Sequence, residues 1–423
     1  MEKRYITSNG VKLYAYANES LHSFCCSLYV KAGPLYESAD ENGISHFVEH
    51  IIVRNMNALM GGNLYRELDR LGLKLTACTY TELMQVTLSG APETASRAFE
   101  IFASIFGELA LTADEIALER GRIKAEIREE DDKSTLDYFT NRIVWQGTPL
   151  ERTITGTRTV IDRIGKKRLA EEKRKLLSSD NVFVYLTGCV SDSDIRKLIS
   201  EIEKYSVKNT PLMRDNSAVV PKDMFRRSGD IAVKSADNTV VRISFDVNTA
   251  KSSGAALMLL YDILFEGDSC KIYQELSEKT GLIYSYSPYL ERYKNVGCLY
   301  FLYEVAPAKL YDTLSIVAHV IRSVKEGITD ELDYVTAPYT KNRAMLLDDP
   351  DDLGWNMAYE AHFLGRDYYS VDDSIAEYGK VTPDDIVSLA REIFRPENMT
   401  VTLKGNKKTI DTDKIKEIVG KIR

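Results

Sequence analysis

The feature that most constrains the fold is a short segment that occurs twice, about half the chain apart. Residues 180–188 and residues 397–405 each begin with an acidic residue and an asparagine, continue with an alternation of apolar residues and end on glycine. The two asparagines are 217 residues apart (398 − 181). Helix-like stretches precede and follow both copies. A repeat at this distance favours domain duplication, so the sequence predicts two similar halves.

The boundary between the halves is predicted in a polar segment that contains Pro211 and Pro221. Prolines among polar residues are typical of a linker. We therefore place an N-terminal domain at 1–207, a linker at 208–229 and a C-terminal domain at 230–423. A chain of 423 residues is long enough for two or three domains.

Hydrophobic periodicity within each half predicts strands alternating with helices. The predicted strands are 11–17, 24–31, 75–79, 85–89, 240–246, 283–289 and 297–304. The predicted helices are 44–56, 63–71, 93–109, 113–133 and 255–264. Hairpin-like neighbours are more evident than a parallel βαβ order. The predicted fold class is therefore α+β, with each domain a mainly antiparallel sheet covered by helices.

Composition excludes several classes of protein. A net charge of −8 argues against a nucleic-acid-binding protein, which would carry a basic excess. Residues 1–9 lack the apolar core of a signal peptide, and no apolar stretch is long enough for a membrane helix. The six cysteines show no CxxC spacing and are expected to be buried free thiols. We expect a cytoplasmic protein that contacts neither nucleic acid nor membrane.

The strongest chemical signal is the pentad HFVEH at residues 46–50. On a helix, residues four apart share a face, so His46 and His50 can direct their imidazoles to one point. Glu49 borders the same face and is placed to accept a proton from a metal-activated water. H-x-x-E-H is also a known catalytic zinc motif. The alternative is a solvated helix face, but apolar neighbours would make three ionisable residues costly to bury without a ligand.

A catalytic zinc ion usually takes three protein ligands, so one more is needed. The predicted helix 113–133 is rich in carboxylates, and Glu119 and Glu126 lie two turns apart on one face. Glu126 is our candidate ligand, with Glu119 supporting another ligand by a hydrogen bond. Spacing alone leaves Glu115, Glu129 and Glu130 open as alternatives.

The motif and the distance to Glu126 resemble those of a known family of zinc peptidases. The carboxylate follows His50 by 76 residues (126 − 50), and residues 119–126 look like that family's ligand helix. The family is the pitrilysin family, peptidase family M16, which includes insulin-degrading enzyme and mitochondrial processing peptidase. Further similar stretches extend the resemblance over nearly the whole chain: residues 9–11, 32–33, 41–45, 156–161, 274–276 and 281–284.

The resemblance implies a role for each residue of the site. It implies that His46, His50 and Glu126 hold one zinc ion per chain and that Glu49 is the general base. It implies that Glu119 is the carboxylate that supports a ligand. The chain is therefore predicted to be a zinc metalloendopeptidase that hydrolyses peptides.

The resemblance also implies an architecture and a partner. Members of the family pair two similar α+β domains of the LuxS/MPP-like metallohydrolase fold, and here only the first would bind metal. Two such pairs close around a peptide chamber. This chain holds a single pair, as M16B-like subunits do, so a second M16-type subunit is implied, in a homodimer or a heterodimer.

The strand at 75–79 resembles the one that binds substrate in this family. It is expected to take the peptide as an extra strand through backbone hydrogen bonds. The substrate-binding residues would be Thr76, Ala77, Cys78 and Thr79. Thr76 stands where the family usually has asparagine, and residues 54–57 replace the usual Phe-x-Gly-Thr run.

Ser277 marks a departure, because family members often have arginine seven residues before the tyrosine of Gly-Leu-x-Tyr. That tyrosine, Tyr284, is a candidate catalytic residue that would polarise the scissile carbonyl; the alternative is a tyrosine that packs in its strand. Ser277 favours a second reading, a heterodimer whose metal-bearing subunit matures a specific peptide precursor. A third reading is a peptide-binding subunit without activity, although such relatives typically lose ligands that are present here.

Overall fold

The computed structural model describes residues 3–129, 135–209, 230–365 and 370–423. The predicted linker, 208–229, lies outside the described residues except for Lys208 and Asn209, so the predicted domain boundaries stay a prediction. The chain forms two compact units, and each contains three stretches of chain. The first unit has Met1–Asp132, Gly147–Val219 and Met345–Phe363; the second has Lys133–Gln146, Val220–Ala344 and Leu364–Arg423.

The described residues form strands and helices that alternate along much of the chain. The strands are β1 (Lys3–Ile6), β2 (Lys12–Ala17), β3 (Phe24–Val30), β4 (Lys74–Thr79), β5 (Met84–Gly90), β6 (Val182–Gly188), β7 (Asp230–Ser235), β8 (Thr239–Val247), β9 (Ile283–Arg292), β10 (Gly297–Val305) and β11 (Met399–Gly405). The helices are α1 (Ile44–Leu59), α2 (Leu64–Leu71), α3 (Ala95–Ala103), α4 (Ala113–Glu129), α5 (Leu136–Val144), α6 (Arg158–Arg163), α7 (Lys166–Leu176), α8 (Asp192–Glu203), α9 (Gly254–Leu264), α10 (Lys271–Tyr273), α11 (Leu310–Glu326), α12 (Glu331–Thr340), α13 (Pro350–Ala358), α14 (Val371–Tyr378), α15 (Pro383–Ile393) and α16 (Thr412–Val419).

The two units contain sheets of the same design. The first sheet has six strands in the order β1-β2-β6-β3-β5-β4, and the second has five in the order β7-β11-β8-β10-β9. In each sheet one pair is parallel, β2 with β6 and β7 with β11, and the other neighbours are antiparallel. Strand for strand, the second sheet matches the first without β1. The predicted α+β fold of two similar, mainly antiparallel domains is confirmed.

The repeated asparagines have the same role in both units. The side-chain amide of Asn181 donates to the carbonyl of Leu176, at the end of α7, and to that of Lys31, next to β3, at 2.8 and 3.0 Å. Asn398 donates to Ile393, at the end of α15, and to Asp246 in β8, at 2.9 and 2.8 Å. Each amide satisfies a carbonyl that the helix end would leave unpaired. This explains why the repeat keeps asparagine.

Helices α13 and α5 each belong to one unit, whereas the chain directly before and after each of them belongs to the other unit. Helix α13 lies against β3 and β6 of the first unit, and the Thr187 hydroxyl donates to the Pro350 carbonyl at 2.6 Å. Helix α5 lies against β11 of the second unit, where the Thr140 and Thr402 hydroxyls are 2.6 Å apart. Each unit therefore takes part of its packing from the other half of the sequence.

Strand β4 is the last strand of the first sheet, so one of its edges has no neighbouring strand among the described residues. An edge of this kind can pair with another extended chain. In the described part of the chain, no helix combines the length and the apolar character needed to cross a membrane.

Candidate metal centre

Helix α1 carries the HFVEH pentad, and a buried carboxylate fixes its first turn. Oε2 of Glu37 accepts a hydrogen bond from the backbone N–H of Gly43, and Oε1 accepts one from that of Ser45, both at 2.8 Å. The side chain of Asn42 donates to Glu37 at 3.0 Å. A carboxylate at a helix N-terminus satisfies unpaired N–H groups and is favoured by the helix dipole. The start of the helix, and with it His46, is thereby held in place.

Two glycines allow a second segment to lie against this helix start. Gly43 has a φ of 96° and Gly156 a φ of 74°, both in the left-handed region. A Cβ on Gly43 would lie 2.6 Å from the carbonyl oxygen of Thr155, and one on Gly156 would lie 2.1 Å from that of Asn42. Glycine is therefore required at both positions for conformation and for space.

The structure brings His46, His50 and Glu126 together. One ligand atom from each lies within 4.8 Å of the others, and they are the only such group found in the described residues. Oε2 of Glu126, on α4, is 3.6 Å from Nε2 of His46 and 3.4 Å from Nε2 of His50. The two imidazole planes are nearly perpendicular, at 85°. Helices α1 and α4 thus direct three donor atoms to one point.

The spacing of these atoms fits a metal ion better than a set of hydrogen bonds. Separations of 3.4 and 3.6 Å are longer than ordinary N–H···O contacts. Two zinc bonds of about 2.1 Å at the tetrahedral angle would place ligand atoms about 3.4 Å apart. Burial, with a smaller effect from His50, lowers the pKa of His46 to about 4, so this imidazole is neutral near pH 7, as a ligand must be.

Glu49 lies next to the trio and contacts the edge strand. The Thr79 hydroxyl donates to Oε2 of Glu49 at 2.7 Å, and the backbone of Thr79 also forms a hydrogen bond to this carboxylate. Burial raises the pKa of Glu49, while the Thr79 hydrogen bond opposes that rise. A carboxyl with a raised pKa beside a metal site suits the transfer of a proton.

Glu119 contacts the candidate ligand His50 at Nδ1, the ring nitrogen that does not face Glu126. Its Oε2 lies 3.5 Å from Nδ1 of His50, and its Oε1 accepts from Nε of Arg54 and, at 2.7 Å, from Nη1 of Arg122. The carboxylate of Glu119 is buried, with 5% of its side chain exposed. It is therefore placed to orient the His50 ring.

The alternatives to Glu126 have other positions. Glu115 accepts from the backbone and the hydroxyl of Thr112 at 2.7 and 2.8 Å and stabilises the start of α4. Glu129 is exposed at the end of the described part of α4, and Glu130 lies outside the described residues. Among the described candidates, only Glu126 meets the two imidazoles.

The predicted substrate strand is β4, directly beside Glu49. Thr76 and Cys78 are exposed, Ala77 is half-buried and Thr79 is buried. Ala77 and Leu75 also line a cavity of about 360 Å³ that reaches Glu49 and His50. The free edge of the sheet and the candidate metal centre are therefore adjacent.

Tyr284 lies in the second unit, at the start of the edge strand β9. Its side chain is 73% exposed, so the alternative of a tyrosine packed in its strand does not describe it. Ser277 and Tyr284 line the same cavity, of about 420 Å³. Within the described residues of this unit, no group of three metal-binding side chains comes together.

Sequence reasoning did not identify Glu37, Arg54 or Arg122 as parts of the site. Glu37 is seven residues before the first residue of α1 and belongs to no recognisable capping pattern. Arg54 follows His50 by four residues and Arg122 follows Glu119 by three, spacings that place each on the helix face of the residue it accompanies. This spacing could have predicted that the two arginines lie near the site.

Two protein-family models match successive parts of the chain. Residues 13–158 match the model described as Insulinase (Peptidase family M16), and residues 163–332 match the one described as Peptidase M16 inactive domain. Together they match more than half of the chain. The chain belongs to peptidase family M16. The first match contains all the residues of the candidate metal centre.

Individual proteins also resemble the chain over nearly its whole length. An uncharacterized zinc protease of Bacillus subtilis, YmxG, is 21% identical over 398 residues, with 93% of this chain and 96% of the relative covered. An uncharacterized zinc protease of Rickettsia felis is 24% identical, with 91% and 93% covered. The crystal structure of a Helicobacter pylori protease has a TM-score of 0.82 at 19% identity, with 96% and 99% covered. A Pseudomonas fluorescens structure described as a peptidase M16 inactive domain has a TM-score of 0.83 at 16% identity, with 96% and 98% covered. At these identities the structures support the fold.

Proposed function

We propose that this M16 protein is a zinc-dependent endopeptidase that hydrolyses extended peptides. The observation that carries the proposal is the convergence of the His46, His50 and Glu126 donor atoms beside the Glu49 carboxylate. These three residues would hold one zinc ion per chain. When bound, zinc lowers the pKa of a water molecule and polarises a carbonyl group.

The protein's own residues supply the remaining parts. Glu49 accepts the proton of the attacking water and passes it to the leaving amine. Thr79 holds the Glu49 carboxylate toward the site, and Glu119 holds His50 through Nδ1. A peptide pairs with the free edge of β4 through backbone hydrogen bonds, next to Thr76, Ala77, Cys78 and Thr79.

We further propose that the working enzyme contains two M16-type subunits around a peptide chamber. The exposed hydroxyl of Tyr284 would donate a hydrogen bond to the substrate in that assembly. Ser277 supports a second candidate, a heterodimer that matures a specific peptide precursor, because serine cannot supply the charge of the arginine that the family often has there. Native mass and the activity of the protein alone separate the two. The six cysteines are free thiols, which supports a cytoplasmic location; four are buried, but Cys78 is exposed and Cys189 is half-buried, so the prediction that all six are buried was wrong for these two.

Zinc content and peptide cleavage, measured together, test the central proposal. The purified protein should contain one zinc ion per chain and cleave a quenched fluorescent peptide. Glu49→Gln should keep the zinc and lose cleavage, because the amide cannot accept the proton. A wild-type chain that binds peptides but neither holds zinc nor cleaves them, even when its partner is supplied, would favour a binding subunit without activity.

A further inference from the structure

The cavity of about 360 Å³ beside the candidate metal centre has a chemical character that the proposed reaction does not require. We propose that this cavity selects an acidic residue, glutamate above all, in the peptide substrate, and that Arg54 and Arg122 bind its carboxylate. The inference rests on the proposed peptidase function and adds the class of substrate to it.

The position of the cavity connects it to a bound peptide. Leu75 and Ala77 of β4 line it, and so do Glu49 and His50 of α1. Side chains alternate between the two faces of a strand. A peptide paired with the free edge of β4 therefore presents every second side chain on the same face as Leu75 and Ala77. The cavity receives such a side chain close to the bond that is cut.

The charged groups that line the cavity are Arg54, Arg122, Glu119 and Glu49. Nε of Arg54 and Nη1 of Arg122 both donate to Oε1 of Glu119. These three side chains together carry one net positive charge. A bound divalent cation would balance the negative charges of Glu49, in the lining, and of Glu126, next to it. An anionic group is therefore the favoured occupant.

Both guanidinium groups also keep donors available. Each has five N–H groups, and in the described residues Arg54 and Arg122 form hydrogen bonds only to Glu119. Arg54 is 26% exposed and Arg122 is 48% exposed, so the remaining N–H groups can be reached. A planar fork of donors matches the two oxygens of a carboxylate.

The rest of the lining suits the stem of a longer acidic side chain. Val53, Leu68 and Leu75 provide apolar surface. The methylene groups of glutamate can lie against this surface while the carboxylate meets the arginines. Aspartate is shorter and would leave more of the apolar surface uncovered, so glutamate is preferred.

The test compares peptides that carry Glu, Gln, Leu or Lys at each of three positions on either side of the cut bond. Wild-type protein should prefer Glu to Gln at one position by at least tenfold in kcat/KM. Arg54→Met and Arg122→Met should each reduce that ratio severalfold. Arg122→Glu should move the preference toward Lys. The matched control is Arg70→Met, because Arg70 also pairs with a glutamate three residues earlier, at 3.0 Å from Glu67, but lies outside the cavity lining.

Two further measurements separate failure of this inference from failure of the proposed function. Zinc content of each variant shows whether loss of Arg54 has acted through Glu119 on the metal centre. Fluorescence anisotropy measures the affinity of each peptide for the Glu49→Gln protein and so tests the preference of the cavity without cleavage. Binding that favours Glu supports the inference even if no peptide is cleaved. Cleavage or binding that favours Leu or Lys, or that does not distinguish Glu from Gln, overturns it.

Discussion

Thr79 and Glu49 join the edge strand to the pentad helix through a hydrogen bond of 2.7 Å. Because the hydroxyl orients a buried carboxylate, we predict that Thr79→Val lowers kcat by roughly tenfold or more, the range expected for a lost hydrogen bond to a charged group. Zinc content should not change. Thr79→Ser keeps the hydroxyl and is the control. Equal rates for the valine and serine variants would show that Thr79 does not position Glu49.

Removal of ligands should separate binding of the metal from chemistry. We predict that His46→Ala and Glu126→Ala lose zinc, since each supplies one of the three converging atoms. Glu115→Gln is the matched control on the same helix, because Glu115 is exposed and bonds only to Thr112 among the described residues. Elemental analysis after dialysis provides the measurement. Full zinc occupancy in Glu126→Ala would place the third ligand elsewhere.

Glu119→Gln should weaken binding of zinc without abolishing it. An amide can still lie near Nδ1 of His50, but it loses the charge that two arginines and the imidazole share. Replacing a group that orients a ligand typically costs about 10–100-fold in metal affinity. Competition with a fluorescent zinc chelator measures the change. An affinity equal to that of the wild type would show that Glu119 stabilises only the helix pair.

Glu37 should control stability through the first turn of α1. Glu37→Gln keeps the size of the side chain but replaces one acceptor oxygen by a donor that faces a backbone N–H. We predict a loss of roughly 1–3 kcal/mol in the free energy of unfolding, the cost of a buried group left without its partner. Urea denaturation measures it, and Glu19→Gln, at an exposed position in the turn after β2, is the comparison. A variant as stable as the wild type would contradict the role given to Glu37.

Asp262 on α9 provides a prediction for pH. Burial raises the pKa of Asp262 to about 7, and a hydrogen bond with Tyr339 only partly opposes this. Between pH 3.8, the ordinary pKa of aspartate, and about pH 7, the folded chain keeps this proton and the unfolded chain has lost it. The free energy of unfolding therefore falls as pH rises through that range. Asp262→Asn should stabilise the protein at pH 8 by on the order of 1–2 kcal/mol and much less near pH 4. Unfolding curves at the two pH values give the comparison, with the exposed Asp268→Asn as control; an equal effect at both values would contradict it.

Much of the fold could be predicted from local signals. The repeated segment, the alternation of apolar residues and the hairpin-like neighbours are all local, and they led to two similar α+β domains. The paired histidines could be found for the same reason, because a helix fixes the geometry of residues four apart. The choice among the carboxylates of α4 needed the family spacing, since several of them lie on neighbouring faces of the helix.

Other features could not be predicted, because they depend on contacts between distant residues. Helix α5 was not predicted, and its packing involves Asp137, which pairs at 2.6 Å with the buried Arg242 of the second sheet. Helix α13 was not predicted either. The predicted helix 93–109 was wrong at both ends, since α3 spans only Ala95–Ala103 between short turns. Pro92 and Gly107 flank this region, and both residues oppose a continuous helix.

The places of α5 and α13 have a consequence for any attempt to express the halves separately. A protein cut within 208–229 yields two fragments, each lacking the helix that the other fragment carries. The N-terminal fragment would expose the sheet surface around Thr187, and the C-terminal fragment would lose the ion pair between Arg242 and Asp137. We therefore expect neither fragment to fold by itself. When the two fragments are mixed, the native state should form only if α13 of the C-terminal fragment packs in the first unit and α5 of the N-terminal fragment packs in the second.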